Sequence, residues 1–264
     1  MDPRPIGVTD SGVGGLTVVR ELLRLLPGED IVYFGDSANC PYGNRPREEL
    51  LTLITRILHL LEAKDVKLIA LACNTMSTLI EPLSAETTRP LIGIIEPAAR
   101  RAAQEGLSSV GVLATAFTVS TGAYDRAIAQ AAPETAVFSA SSPTLAALVD
   151  AGASDLPAID AEIRRAMEAL LAQGELSDVI LGCTHYPILL DRFSACFPSL
   201  RFINPAREQA QAVRDRLAAD GALSGRSRGR LTVCTSGDPQ IYRDLCARLG
   251  ILEQAEVSFS QLKL

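Results

Sequence analysis

The stretch Leu68–Thr75, LIALACNT, is an apolar run that ends in a cysteine, an amide and a hydroxyl. Such a run is typical of a buried strand whose carboxyl end carries polar chemistry. A second run of the same kind, Val179–His185 (VILGCTH), places Cys183 110 residues after Cys73. Because ligands of parallel sheets bind beyond the carboxyl ends of the strands, the two cysteines are predicted to lie at equivalent, functional positions.

Length and composition indicate an ordinary globular protein of one large or two smaller domains. The chain has 264 residues, of which 47% are apolar and 21% charged, and a chain of this size buries about 70–75% of its unfolded surface. The amino terminus, MDPRPIG, does not resemble a targeting segment. No apolar run approaches the roughly 18 residues needed to span a bilayer. We therefore expect a cytoplasmic protein without a membrane partner.

Charge and residue usage argue against several function classes. The net charge of −6 offers no basic stripe for nucleic acid, so nucleic acid is not expected as the main partner. The six cysteines form no C-x-x-C pair, which indicates reduced thiols and no zinc site. Only Lys64, Lys67 and Lys263 are available for a Schiff base, and none follows a strand end. Neither a metal nor a cofactor is therefore expected.

The rest of the chain alternates short apolar runs with helical patterns. This order favours right-handed βαβ units and a parallel sheet. Strands are predicted at Ile6–Val8, Ile31–Phe34 and Leu91–Ile95, and helices from about Pro46 and Met76.

After Pro97 the pattern restarts, and three strand ends recur at offsets of 104, 104 and 110 residues. This repetition predicts an α/β fold of two pseudo-symmetric, doubly wound domains with mainly parallel sheets and an active site in the cleft between them. Residues 1–96 with 209–264 are expected to form the first domain, which carries Cys73, and residues 97–208 the second, which carries Cys183. A strand at 231–234 and a helix at 239–249 are expected to complete one of the two sheets.

Two cysteines on opposite sides of one cleft suit a particular reaction. One thiolate would remove a proton from a carbon, and the opposite thiol would return a proton to the other face, which is racemisation or epimerisation. A free thiol titrates near about 8.5, and helices beginning near Met76 and Pro187 are expected to favour the thiolate. A lone cysteine after a strand, by contrast, is more often a small buried hydrophobe.

The chain resembles the glutamate racemase family along essentially its whole length. The resemblance rests on TDSGVGGLTV, YFGD followed by CPYGNR, ALACNT, GIIEP, the loop A-T-x-x-T and GCTHYPIL, in that order. It implies a cofactor-independent racemase acting on glutamate, which supplies D-glutamate for peptidoglycan from two pseudo-symmetric α/β domains. A homodimer is one of the assemblies that it allows.

The resemblance also implies roles for individual residues. Cys73 and Cys183 become the two acid/base thiols, with Asp10 near the first and His185 beside the second. The implied substrate-binding residues are Ser11, Asn74, Thr75 and Thr184 for the α-carboxylate and ammonium, Pro41, Tyr42 and Gly43 for the side-chain carboxylate, and Thr115 and Thr118 as helpers.

The chain departs from the family pattern at a few positions. Asp150 stands where the family has a glutamate that serves as proton relay or ammonium partner, and it is one methylene shorter. The other departures are Thr9 for phenylalanine, Ser142-Pro143 for cysteine-proline, and Ala98 and Ala114 for glycines.

Three other functions fit the same residues. A related racemase or isomerase could prefer aspartate or another small acid, and a two-domain cleft also suits a binding protein without activity. A cysteine hydrolase with Cys183 as nucleophile and His185 as base is the third, but it leaves Cys73 without a role.

Overall fold

The strands form two separate sheets in which every neighbouring pair is parallel. The computed structural model describes all 264 residues. The strands are β1 (Ile6–Asp10), β2 (Ile31–Gly35), β3 (Leu68–Leu71), β4 (Leu91–Gly93), β5 (Ser109–Ala114), β6 (Ala136–Ser141), β7 (Asp178–Gly182), β8 (Arg201–Ile203), β9 (Arg230–Thr235) and β10 (Glu256–Gln261). The first sheet has the order β10-β9-β2-β1-β3-β4 and the second β6-β5-β7-β8.

Helices connect the strands, as the alternating pattern predicts. They are α1 (Leu16–Leu25), α2 (Arg47–Ala63), α3 (Asn74–Ser77), α4 (Ile80–Leu83), α5 (Ile95–Gln104), α6 (Ala116–Ser120), α7 (Ala123–Ala131), α8 (Leu145–Asp150), α9 (Leu156–Leu171), α10 (Leu190–Cys196), α11 (Ala206–Ala219) and α12 (Pro239–Arg248). Short 3-10 helices cover 37–39, 42–44 and 186–189. None of the helices combines the length and apolarity that crossing a membrane requires.

The two sheets repeat one strand order. The segment β2-β1-β3-β4 of the first sheet corresponds to β6-β5-β7-β8 of the second. The predicted pair of pseudo-symmetric, mainly parallel α/β sheets is thus confirmed, and β9 extends the first sheet by pairing with β2. Equivalent central strands, β3 and β7, precede Cys73 and Cys183.

Three local predictions differ from the structure. The helix after Cys73 begins at Asn74, not near Met76, and is a single turn. The strand expected to reach Ile95 ends at Gly93, because Ile95 already belongs to α5. The edge strand β10 was not anticipated, since its residues are mostly exposed or half-buried and present no continuous apolar run.

Helices cover both faces of each sheet and hold the two sheets together. On one side α1 packs against α11 and α5 against α7, and a single hydrophobic cluster there contains side chains from both sheets, such as Val8 and Val112. The opposite faces have separate cores, with α2 on the first sheet and α9 on the second. The shared core brings the loops at the carboxyl ends of the two sheets to one place.

Candidate active site

A small, nearly closed cavity lies between the loops that leave the two sheets. Its volume is about 10 Å³, far below the roughly 300 Å³ of a typical small-molecule pocket. A ligand can therefore reach it only if the loops of the two sheets move apart. The lining residues are Ser11, Cys40, Pro41, Tyr42, Gly43, Cys73, Asn74, Thr75, Thr115, Ala146, Cys183, Thr184 and His185.

The cavity brings together most of the residues singled out in the sequence. Both candidate thiols, Cys73 and Cys183, open into it and are otherwise buried. Asp10, Thr118 and Asp150 do not line the cavity. Each of these three instead forms a hydrogen bond with a residue that lines it, namely Thr184, Thr75 and His185 in the same order.

Cys73 lies at the end of β3 and caps the single-turn helix α3. Its sulfur is 3.7 Å from the hydroxyl of Ser11. Burial, with the nearby Asp10 carboxylate, raises the pKa of Cys73 to about 12. The helix start acts in the expected direction, because a hydrogen bond from the Met76 backbone lowers the pKa of Cys73, but burial has the larger effect.

Cys183 lies at the start of a chain of polar contacts. Its sulfur is 3.6 Å from Nδ1 of His185, whose Nε2 is 3.0 Å from Asp150 Oδ1. Burial disfavours the charged imidazole, but the Asp150 carboxylate raises the pKa of His185 well above its usual value. A protonated His185 thus lies next to Cys183, with Nδ1 facing that sulfur.

Asp150 joins this chain although its side chain is shorter than the glutamate of the family. Its second oxygen, Oδ2, accepts a hydrogen bond from the thiol of Cys40 at 3.0 Å. Burial alone would raise the pKa of Asp150. The charge of His185 and the hydrogen bonds that Asp150 accepts together outweigh burial, so the pKa of Asp150 lies below its usual range. Asp150 is therefore a carboxylate held between His185 and Cys40.

Polar contacts also cross from one sheet to the other. Thr184, after β7, donates a hydrogen bond to Asp10 Oδ2 at 2.9 Å, and Asp10 is fully buried at the end of β1. The hydroxyls of Thr75 and Thr115 are 3.0 Å apart, and Thr118 lies 3.3 Å from Thr75. Burial raises the pKa of Asp10.

Asn74 presents an amide group that lacks a protein partner on one side. Its Oδ1 accepts a hydrogen bond from the phenol of Tyr124 at 2.7 Å, whereas its buried Nδ2 has no partner. Unsatisfied buried donors are uncommon in folded proteins. Nδ2 is therefore a donor available to a ligand, and Tyr124 on α7 fixes the orientation of the amide.

The loop after β2 is held by Asp36. The Asp36 carboxylate accepts hydrogen bonds from Tyr42 at 2.6 Å, from Ser236 at 2.6 Å and from Asn39 at 3.0 Å. The Cys40–Pro41 peptide bond in this loop is cis. Pro41, Tyr42 and Gly43 form a wall on one side of the cavity, and the hydrogen bond from Tyr42 to Asp36 holds it in place.

Tyr124, Cys40 and Asp36 were not assigned roles from the sequence. Tyr124 lies 50 residues from Asn74, and Cys40 lies 110 residues from Asp150. No local motif reports such pairs. Asp36, in the YFGD motif, was within reach of sequence reasoning, since an acidic residue directly after a strand often anchors the loop that follows.

The other departures from the family pattern have local partners. The Thr9 hydroxyl donates to the Phe34 carbonyl at 3.0 Å, which satisfies it inside the first sheet. Ser142 is hydrogen-bonded to Glu162 at 2.6 Å and accepts a bond from the backbone of Leu145 at 3.1 Å. Neither replacement leaves a buried polar atom unpaired.

A larger cavity of about 380 Å³ lies beside Asp150 and is bordered by Val13, Ile188 and Leu245. Its lining is mainly apolar and contains neither of the two candidate thiols. Size alone therefore does not locate the chemistry, and the small cavity with both thiols is the candidate active site.

Known proteins match the chain over most of its length. The model of the Asp/Glu/Hydantoin racemase family matches residues 6–213. A glutamate racemase of Thermus thermophilus is 41% identical over 251 residues, which are 94% of each chain. The structure of the glutamate racemase isoform RacE1 from Bacillus anthracis superposes with a TM-score of 0.90 at 30% identity, covering 100% of this chain and 99% of that one.

A further solved structure carries a ligand. Glutamate racemase from Francisella tularensis, described in complex with D-glutamate, superposes with a TM-score of 0.87 at 27% identity over 100% of this chain and 98% of that one. Both the sequence and the arrangement of the two sheets thus agree with the same group of enzymes. The chain belongs to the Asp/Glu/Hydantoin racemase family and, within it, to the glutamate racemases.

Proposed function

We propose that the protein interconverts L-glutamate and D-glutamate by moving a proton at the α-carbon between two thiols, without a cofactor. The observation that carries this proposal is the shared cavity of Cys73 and Cys183. The two cysteines follow equivalent strands, β3 and β7, of two sheets with the same strand order. A substrate bound between the sheets would have one thiol on each face of its α-carbon.

The surroundings of the two thiols suggest different resting roles. Cys183 lies 3.6 Å from Nδ1 of His185, whose pKa is raised by Asp150, and we assign it as the group that accepts the α-proton. Cys73, whose pKa is raised to about 12, is the thiol that donates a proton. The reaction in the opposite direction needs the opposite protonation states, which proton exchange through Asp10 and His185 restores.

Proton abstraction leaves negative charge on the substrate, and hydrogen-bond donors must already be in place to stabilise it. The unpaired Nδ2 of Asn74 is one such donor. The hydroxyls of Thr75, Thr115 and Thr184 line the same cavity. We assign these groups to the α-carboxylate and ammonium, with Ser11 and Asp10 on the side of Cys73 and Thr118 supporting Thr75.

The wall formed by Pro41, Tyr42 and Gly43 is assigned to the side-chain carboxylate of glutamate. It lies on the first-sheet side, where Asp36 holds Tyr42 in place. Asp150 is assigned to keep His185 charged and to relay protons. Its 3.0 Å contact with His185 indicates that the shorter side chain still reaches.

The decisive experiment is incubation with L-glutamate in D₂O without added cofactor. We expect D-glutamate to accumulate with deuterium at the α-carbon until the two enantiomers are equal. A parallel incubation with L-aspartate tests the substrate, and faster turnover of aspartate would overturn the assignment to glutamate. Absence of both D-isomer and deuterium exchange would overturn racemisation itself.

The biological setting follows from the activity. D-Glutamate made in this way would supply peptidoglycan synthesis in the cytoplasm, where the six free cysteines remain reduced. We further propose that residues 1–96 with 209–264 and residues 97–208 move as the two units that open the cavity. A homodimer is a proposal that sedimentation of the purified protein can test.

A further inference from the structure

Three side chains that ligate metals converge beside the active cavity. Cys40 follows β2, Asp150 ends α8 and His185 follows β7, and one ligand atom of each lies within 4.8 Å of the others. Asp150 already contacts both neighbours at 3.0 Å, through Oδ2 to the sulfur of Cys40 and through Oδ1 to Nε2 of His185. Thiolate, imidazole and carboxylate are the three ligand types of Zn²⁺.

The three ligand atoms lie directly against the backbone of Gly12. A Cβ atom on Gly12 would lie 3.1 Å from Asp150 Oδ1, 3.3 Å from Cys40 Sγ and 3.3 Å from His185 Nε2. These contacts are tighter than ordinary van der Waals separation, so a side chain at this position would crowd all three ligand atoms. Glycine leaves them room to adjust around an ion.

The distances suit a small tetrahedral ion after minor adjustment. Zn²⁺ binds its ligands at about 2.0–2.3 Å, which separates neighbouring ligand atoms by about 3.3–3.7 Å. The two separations of 3.0 Å therefore need to widen by only about half an ångström. Three protein ligands leave the fourth tetrahedral position for water or another small ligand.

We propose that Cys40, Asp150 and His185 form a binding site for a transition-metal ion of the Zn²⁺ class. The ion replaces two protons, the thiol proton of Cys40 and the Nε2 proton of His185, and both pass to solvent. Nδ1 of His185 keeps its place 3.6 Å from Cys183. The three residues are 35 and 110 positions apart along the chain, which is why the spacing of cysteines and histidines did not indicate a metal site.

The ion would inhibit the enzyme by joining the two sides of the cleft. Cys40 comes from a loop of the first sheet, whereas Asp150 and His185 belong to the segment that forms the second. A metal bridge between them prevents the loops from separating, and the cavity is too small to admit substrate while closed. This inhibitory role rests on the proposed racemase function, but the metal site itself does not.

Cobalt titration of the purified, metal-free protein tests the site independently of activity. We expect one Co²⁺ per chain, with the visible bands of tetrahedral cobalt and a sulfur-to-cobalt charge-transfer band. Zn²⁺ should displace the cobalt. Cys40→Ser should remove the charge-transfer band and weaken Zn²⁺ binding at least about tenfold, whereas Cys196→Ser, the matched control, should leave both unchanged.

A second variant keeps all three ligands and restricts their movement. Gly12→Ala should weaken binding of Co²⁺ and Zn²⁺ because its methyl group would lie within 3.1–3.3 Å of all three ligand atoms. Failure of the wild-type protein to bind cobalt, or binding that Cys40→Ser leaves intact, would overturn the site. Stoichiometric Zn²⁺ binding without loss of racemisation would overturn the inhibitory role. If the metal-free protein binds cobalt but does not racemise glutamate, only the proposed function is refuted.

Discussion

Thr184, which follows β7 of the second sheet, donates a hydrogen bond over 2.9 Å to Asp10, the last residue of β1 in the first sheet. The contact is buried on both sides. This hydrogen bond therefore forms only when the loops of the two sheets are in contact. Closure of the cavity thus changes the surroundings of the Asp10 carboxylate, which lies near Cys73. Closure and chemistry depend on the same pair of loops.

Gly14→Ala should prevent this closure. A Cβ on Gly14 would lie 2.5 Å from Thr184 Oγ1, 2.7 Å from the Thr184 carbonyl carbon and 2.8 Å from the His185 nitrogen. Because backbone atoms cannot rotate away, the loops must separate. We expect kcat/KM for glutamate to fall by about 10²-fold, with faster amide hydrogen exchange in both loops.

The matched control is Gly93→Ala. The three atoms nearest to its added Cβ belong to the side chains of two residues, at 3.3–3.5 Å, and neither of these residues lines the cavity. This variant should retain activity and exchange protection. Equal activity of Gly14→Ala and wild type would contradict the requirement for close approach of the two loops.

Cys73→Ala and Cys183→Ala should each abolish racemisation. Loss of either thiol leaves one face of the α-carbon without a proton donor or acceptor, and general acid–base catalysis contributes about 10²–10⁴-fold. Turnover of both enantiomers is followed by optical rotation. Cys196→Ala, which replaces a cysteine outside the cavity, serves as control, and near-normal turnover by either active-site variant would exclude the two-thiol mechanism.

The sequence predicted those parts of the molecule that depend on neighbouring residues. Cys73 and Cys183 could be identified because an apolar strand and the polar residues at its end are continuous in the chain. The repeated strand order could be predicted because βαβ units recur with similar spacing. In contrast, β10 lies at the sheet edge with few fully buried residues, so its hydrophobic pattern is weak.

The missing parts of the site depend on contacts between distant segments. Tyr124 reaches Asn74 only because α7 packs against α5 in the core shared by the two sheets, and Cys40 meets Asp150 only when the two sheets face each other. The protonation state of Cys73 also depends on its surroundings in space. Complete burial beside Asp10 raises the pKa of the thiol, and neither burial nor that proximity is visible in a local motif.

Tyr124→Phe should weaken substrate binding more than it slows the chemical step. Without the 2.7 Å hydrogen bond from the phenol, the Asn74 amide is free to rotate and Nδ2 is no longer held toward the ligand. Loss of one such bond costs about 1–1.5 kcal/mol, which corresponds to roughly a 5–10-fold increase in KM. Steady-state kinetics in both directions provide the measurement.

Tyr242→Phe is the control for Tyr124→Phe. It removes a comparable phenol contact, 2.5 Å from the Ser37 hydroxyl, without touching Asn74. It should reduce stability to a similar extent and leave KM unchanged. If the two variants had the same KM, the proposed orienting role of Tyr124 would be lost.

Asp150→Asn should change how stability depends on pH. Asp150 raises the pKa of His185, so the folded state holds the imidazole proton more tightly than the unfolded state does. That stabilisation is fully present below the unfolded histidine pKa of about 6.5 and is lost as pH rises through the higher folded value. The Asp150 pKa is lowered, so its own contribution is present above about 3.9 and is lost as pH falls through the folded value.

Wild type should therefore exceed Asp150→Asn in unfolding free energy by about 1.5–3 kcal/mol between about pH 4 and 6.5, because a hydrogen bond between charged groups is lost. Above that window the difference should shrink steadily as His185 loses its proton in the wild-type protein. Urea denaturation at half-unit steps from pH 4 to 9, with a chelator present to exclude metal binding, measures both curves. A difference that stays constant across this range would show that the 3.0 Å contact between Asp150 and His185 is not an ion pair.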